Sequence, residues 1–314
     1  MSGLVAVIAG GLSHERDVSL ASGRNLVREL RAEGVDVAAY DFDRNLLNNL
    51  ERDKATVALP ALHGQFGEDG EIQTLLELIG MPYVGSTSRA CRVAFDKGTA
   101  RELQRRAGIP VPDSVGLSAQ TFRDIGPNAL MEHVLVRLGE RVVVKPARGG
   151  SALGVSGVDG LAELPSALVG TYAYHDDALI ERFYQGIDVS VVVLETDEGL
   201  TSLAPIHIDF TKGHEFDFAA RYTAEFVGLA VPGLPEELLE RLGQTARRSH
   251  EILGLRDVSR SDFIVSPDGS FVLLETAITP GTTETSVFPF ACTASGTSLG
   301  QVAAGLVRRA LARD

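Results

Sequence analysis

The sequence predicts an α/β fold with an N-terminal parallel-sheet domain, and three observations carry that reading. Leu4 to Ala9 is a wholly apolar run closed by Gly10 and Gly11, the pattern of a strand buried on both faces that feeds a turn. Helical and strand patterns then alternate over roughly the first 95 residues. Beyond residue 96 the alternation gives way to β-rich runs separated by glycines, and the 314 residues are about twice the ~150 of a single domain, so more than one lobe is expected.

Each element follows from its local pattern. Val18, Leu26, Val27 and Leu30 fit one face of a helix over Asp17 to Arg31, which Gly34 stops. Val35 to Tyr40 and Val57 to Leu62 read as strands, and Glu71 to Ile79 as a helix. A helix after Asp96 ends at Gly108, and Ile109-Pro110-Val111-Pro112 forms an extended connector, because proline disfavours helix at the residue before it. Arg141 to Pro146 and Leu153 to Val158 are β-rich runs around Gly149-Gly150-Ser151-Ala152. A P-loop or Rossmann fingerprint leads into a helix, whereas this loop returns as a strand. Leu179 to Phe183 and Val189 to Leu194 are strands flanking a Gln185-Gly186 turn. A helix from Pro235 to Leu253, strands at Ser261 to Val265 and Phe271 to Leu274, and a helix from Ser298 to Ala312 complete the chain.

Composition narrows the function. With 42 acidic against 29 basic side chains the net charge is −13, which repels a nucleic-acid backbone. No apolar run approaches the ~20 residues of a membrane span, and the first residues lack the basic flank of an export signal, so no membrane partner and a cytoplasmic location are expected. Cys91 and Cys292 lie far apart without metal-ligand spacing, which suits buried thiols in a reducing compartment.

Chemistry concentrates in five segments. In Ser259 to Glu275, Asp268-Gly269 signals a two-residue hairpin loop, whose register sets Asp262 opposite Glu275 and Arg260 opposite Ala277. Facing carboxylates in a sheet repel unless a cation lies between them, and hard oxygen ligands of this kind suit Mg²⁺ on nucleotide phosphates. A solvated hairpin face with one salt bridge has the same composition, but the hydroxyl-rich loop Thr279 to Ser286 follows at once and can bind anions. Lys145 beside the glycine loop suggests a triphosphate clamp. Glu15, where the first strand hands over to its helix, is placed to hold a ligand ammonium, while Ser13 or Asp17 would serve as a helix cap. His63 ends a strand among glycines, open to either a ligand or a structural role.

Together these segments resemble the D-alanine:D-alanine ligases of the ATP-grasp superfamily. The carriers are Gly10 to Gly23, His63 to Gly70, Pro82 to Ser86, Phe95-Asp96-Lys97, Lys145 to Ser151, Arg260-Ser261-Asp262 and Pro280 to Ser286. The resemblance implies a three-lobed ATP-grasp architecture: 1–95 binding substrate, 96–184 carrying the glycine loop, and 185–314 carrying the metal and second-substrate sites. It implies ATP as nucleotide, amino acids as substrates, a homodimer, and a role in peptidoglycan precursor synthesis. Lys97 and Lys145 match phosphate-contacting lysines, Glu181 the adenine hinge, Asp188 the ribose contact, and Asp262 and Glu275 the Mg²⁺ ligands. Glu15 matches the ammonium holder and His63 lies near that substrate's carboxylate. Ser151 and Tyr222 match the partners of Glu15 in a hydrogen-bond triad, Arg260 and Gly281 the oxyanion stabilisers, and Ser286 the group on the second carboxylate. The chemistry implied is attack of a carboxylate on the γ-phosphate of ATP, then of an amine on the acyl phosphate.

Three departures stand out. Ala277 replaces an Asn that ligates metal, which leaves a second Mg²⁺ short of a ligand; Ala152 replaces a serine, and Arg221 a lysine beside Tyr222. They leave two further readings open: a ligase or cyclase for a different amino-acid pair, and a nucleotide-binding homologue with impaired catalysis.

Overall fold

The computed structural model describes residues 3–210 and 227–313. In chain order the elements are β1 (Leu4–Ala9), α1 (Arg16–Ala32), β2 (Val37–Asp41), α2 (Leu46–Arg52), β3 (Ala55–Pro60), α3 (Glu71–Leu78), α4 (Ser88–Phe95) and α5 (Lys97–Arg106). There follow β4 (Ser114–Ser118), α6 (Ala119–Ile125), α7 (Pro127–Leu138), β5 (Arg141–Pro146), β6 (Ser156–Asp159), α8 (Leu164–Tyr172) and β7 (Asp177–Arg182). The remainder is β8 (Ile187–Thr196), β9 (Gly199–Ser202), β10 (Ile206–Phe210), β11 (Val227–Ala230), α9 (Glu236–Ile252), β12 (Val258–Val265), β13 (Phe271–Ala277), α10 (Val287–Ala294) and α11 (Leu299–Leu311).

The apolar β1 lies at the centre of a parallel sheet ordered β2-β1-β3, and its alternating side chains serve two cores. Val5, Val7 and Ala9 pack with α1 and α11, while Ala6 and Ile8 pack with α2 and α3. The last helix therefore folds back on the first sheet; its start is fixed by a capping box between Ser298 and Gln301. The other two sheets are antiparallel, one ordered β4-β7-β5-β6, the other β11-β10-β8-β12-β13 with β9 on β8.

In the middle sheet Val142, Val144, Ala178 and Ile180 enter a core with α7 and α8. Period-2 alternation then turns Val143, Lys145 and Glu181 to the opposite face, towards a cleft between the three sheets. Helix α5, capped by Asp96, packs on the third sheet instead: Arg101 donates to the Leu274 carbonyl, and Gln104 to Ser249 of α9 and Thr276 of β13.

Several expected boundaries need correction. The strand expected over Leu153 to Val158 begins only at Ser156, because Gly154 is left-handed at φ 68° and the Leu153 and Val155 amides are used in turns to the Gly150 and Ala152 carbonyls. The strand expected over Val57 to Leu62 spans Ala55–Pro60. The hairpin loop has three residues, Pro267-Asp268-Gly269, with Gly269 left-handed at φ 80° and Ser266 facing Ser270. That shifts the register by one at the tip, where Val265 faces Phe271. A β-bulge at Leu274 shifts it back, so Asp262 still faces Glu275 and Arg260 still faces Ala277.

Candidate active site

The cleft is a cavity of about 440 Å³. Twelve of the thirteen residues singled out from the sequence line it: Glu15, His63, Lys97, Lys145, Ser151, Glu181, Asp188, Arg260, Asp262, Glu275, Gly281 and Ser286. The thirteenth, Tyr222, lies outside the described residues, as does Arg221.

At the first sheet, α1 starts immediately after Glu15, which makes no capping bond with its side chain. Ser13 takes over locally: its Oγ accepts from the Glu15 amide and its carbonyl from the Arg16 amide. The Glu15 carboxylate is thereby left to the cleft, where it is buried and accepts a hydrogen bond from Ser151 Oγ. Burial raises its pKa, and the Ser151 bond and Lys97 oppose that rise. Ser151 and Ala152 are non-glycine residues at φ 54° and 61°, a conformation costing about 1–2 kcal/mol each, which the bond to Glu15 helps to hold. Gly64, at φ 65°, lies so close that a Cβ there would collide with Glu15 Oε2.

His63 is buried with Nε2 at 2.9 Å from Ser22 Oγ. Burial, reinforced by Arg260, pushes its pKa down to about 4, so it is neutral at physiological pH.

Lys97 opens α5, and its Nζ donates to the Gly149 carbonyl at 2.5 Å while lying 3.4 Å from Glu275 Oε2. The ammonium thus ties the glycine loop to β13. Lys145 Nζ lies 2.6 Å from Glu181 Oε1. Asp188, on β8, pairs with Ile264 of β12 and Ile208 of β10 at the cavity wall. Asp262 is gripped by Arg260 in a fork, Nε to Oδ1 at 2.8 Å and Nη2 to Oδ2 at 2.7 Å, and receives Ser190 Oγ at 2.6 Å. The facing carboxylates are therefore each neutralised from the side, Asp262 by Arg260 and Glu275 by Lys97. Among the described residues no three His, Cys, Asp or Glu side chains converge as a complete metal cage.

At the far end, Ser286 stands at the N-terminus of α10. Its Oγ lies 2.7 Å from Thr283 Oγ1 and accepts from the Thr283 amide. A Cβ on Gly281 would come within 2.8 Å of that hydroxyl, so only glycine lets the chain pass this close. Exposed amides and a helix N-terminus favour a carboxylate there.

Two participants escaped the sequence reading. Glu68, inside the His63 to Gly70 segment, is buried beside Glu15 and accepts from the Gly64 amide at 3.1 Å. Burial and the Glu15 charge push its pKa up to about 8. Arg101 is buried beneath the cleft, its Nη2 2.6 Å from Glu181 Oε1. Nothing in a one-dimensional pattern marks either as buried; the near-identical context of exposed helix arginines hides Arg101, and only the density of glycines around Glu68 hinted at a tight site.

Comparison with known proteins matches this geometry. Residues 45–86 match the family model described as D-ala D-ala ligase N-terminus, and residues 103–308 that described as D-ala D-ala ligase C-terminus. A D-alanine–D-alanine ligase of Geobacter sulfurreducens is 38% identical over 287 residues, covering 91% of this chain and 86% of the relative. Among solved structures, D-alanine–D-alanine ligase from Bacillus anthracis complexed with ATP superposes with a TM-score of 0.82 at 26% identity, covering 99% of this chain and 98% of that one. VanG D-Ala:D-Ser ligase from Enterococcus faecalis superposes with a TM-score of 0.83 at 26% identity, covering 99% and 100%. The parallel first sheet, the two antiparallel sheets and the cleft between them are the ATP-grasp architecture, and the chain belongs to the D-alanine:D-alanine ligase family.

Proposed function

We propose that the protein is an ATP-dependent carboxylate–amine ligase that joins two D-alanines for peptidoglycan precursor synthesis. The observation that carries this reading is one cavity lined together by Lys97 and Lys145, the facing carboxylates Asp262 and Glu275, and Glu15 and Ser286. Lobes 1–95, 96–184 and 185–314 divide the work, with ATP between the second and third and the amino acids against the first. The named relatives, all ligases of D-alanine, support the substrate class. The resemblance brings with it a homodimer in the cytoplasm; among the described residues no helix is long and apolar enough to cross a membrane.

Asp262 and Glu275 fit Mg²⁺: they are hard donors on facing strands of the cleft, where a polyphosphate needs a divalent counter-ion. Bound there, Mg²⁺ supplies charge neutralisation for the triphosphate. The side chain of Ala277, a methyl group, offers no oxygen for a second ion.

The chain's own groups do the rest by positioning. Lys97 and Lys145 hold the phosphates, and Glu181 and Asp188 the adenosine. Glu15 takes the first substrate's ammonium beside neutral His63, aiming its carboxylate at the γ-phosphorus. The P–O bond to ADP breaks as the acyl phosphate forms. The amine of the second D-alanine, held through its carboxylate by Ser286, then attacks the acyl carbon; Arg260 and the Gly281 amide stabilise the oxyanion, and phosphate leaves. By the family resemblance, Tyr222, which lies outside the described residues, would be the third member of a triad with Glu15 and Ser151.

A different acceptor is the second reading, favoured by Ala152 at the cavity wall and by the fit to a D-Ala:D-Ser ligase. Purified protein with ATP, Mg²⁺ and D-alanine alone is expected to release phosphate and yield the dipeptide by mass spectrometry. A preference for a pair lacking D-alanine would select a different ligase, and no turnover with any D-amino acid would defeat the assignment.

A further inference from the structure

Beneath the nucleotide end of the cleft lies a buried cluster of one carboxylate and two cations. Glu181 Oε1 is 2.6 Å from Lys145 Nζ and 2.6 Å from Arg101 Nη2, as ion pairs rather than well-aligned hydrogen bonds. All three side chains are at least nine-tenths buried. The two cations differ in access. Lys145 lines the cavity, whereas Arg101 does not and is anchored from behind by the Leu274 carbonyl at 3.0 Å, one residue before Glu275. Arg101 Nε and Nη1 are buried with no hydrogen-bond partner, so the guanidinium is held at this place despite incomplete solvation. It stands on α5 one helical turn after Lys97, and so links the lysine at the glycine loop to the floor of the cleft.

A buried carboxylate with two cations has one more than it needs. A lysine paired only with Glu181 could turn to a phosphate only by stranding a buried anion, an expensive outcome. With a second, fixed cation on the same oxygen, that penalty disappears. We infer that Arg101 is a positioning residue for nucleotide binding: as the permanent counter-ion of Glu181 it releases Lys145 to exchange Glu181 for a phosphate of the incoming nucleotide. Arg101 itself never touches the nucleotide. The inference rests on the reading of Lys145 as a phosphate ligand and adds a device that the reading does not contain.

The test is calorimetric titration of full-length protein with ATP and Mg²⁺, joined to steady-state kinetics. In Arg101→Met, Lys145 becomes the sole partner of Glu181; nucleotide affinity is expected to fall at least about tenfold, and KM for ATP to rise with it, while KM for D-alanine stays within about twofold. Arg101→Lys retains the charge and is expected to bind ATP within about threefold of wild type. The diagnostic comparison adds Arg101→Met to Lys145→Met: with the released lysine already gone, the second substitution is expected to change ATP affinity by less than about twofold. Wild-type affinity in folded Arg101→Met overturns the inference. So does a further loss of about tenfold or more when Arg101→Met is added to Lys145→Met, which would mean that Arg101 merely supports the floor. If Arg101→Met does not fold, Arg101→Lys decides: affinity reduced tenfold or more in a protein with unchanged melting overturns it. Failure of the underlying reading is separable, because then wild type binds no ATP or Lys145→Met binds it undiminished.

Discussion

At the scale of single residues the site is a set of buried charges whose neighbours decide their protonation. Glu68 is the clearest case. Its carboxyl is pushed up to about 8 by burial and by Glu15, against an ordinary value of 4.5. Between those values the unfolded chain gives up a proton that the native protein keeps, so this group makes stability fall as pH rises from about 5 to 8. Glu68→Gln removes that dependence, and its stability relative to wild type is expected to increase by roughly 2–4 kcal/mol between pH 5 and pH 8 in denaturant titrations. An unchanged difference would mean that Glu68 is ionised throughout. Asp262→Asn tests the facing carboxylates: kcat/KM is expected to fall by at least about 100-fold, with the circular-dichroism spectrum unchanged. Residues such as Glu15, Lys145 and Asp262 were legible because short motifs place them at strand ends or opposite one another. Glu68 and Arg101 were not, since burial of a charge depends on what packs over it from distant parts of the chain.

At the scale of elements, the hairpin β12–β13 shows how a correct pairing can have an unforeseen cause. A two-residue loop at Asp268-Gly269 and the observed three-residue loop with a bulge at Leu274 lead to the same partner for Asp262. The strand pattern cannot distinguish them, because both put the carboxylates on one face. Their consequences differ, however. Deleting Leu274, the bulged residue, joins Leu273 directly to Glu275 and leaves Glu275 opposite Asp262, so turnover is expected to be retained within about tenfold with a cooperative melting transition. Lost turnover in a folded variant would point instead to the continuous register of a two-residue loop, in which the same deletion sets Thr276 opposite Asp262. Although the face that Lys145 and Glu181 take is hidden in the unbroken apolar runs Val142-Val143-Val144 and Ala178-Leu179-Ile180, strands β5 and β7 themselves were readable from the sequence. The left-handed run at Ser151 and Ala152 was not, because it is stabilised by a bond to Glu15, 136 residues away in the chain.

At the scale of the whole molecule, the first and third sheets share a core. Val5, Val7 and Ala9 lie in one apolar cluster with Val192, Leu194 and the last helix, whereas the middle sheet packs its own cluster with α7 and α8. The end of the cleft at Glu15 thus belongs to a continuous body, and the glycine loop is carried on a separately cored one. Ser151–Glu15 and Lys97–Gly149 join the two across the cleft. Their placement makes one demand on the chemistry: the first substrate's carboxylate must meet the γ-phosphate. The most direct check uses D-alanine labelled with ¹⁸O in its carboxylate, incubated with ATP, Mg²⁺ and the purified protein, with mass spectrometry of the released phosphate. Phosphate bearing one ¹⁸O for each dipeptide formed is the predicted result; unlabelled phosphate accompanying the dipeptide, or none released, would contradict it.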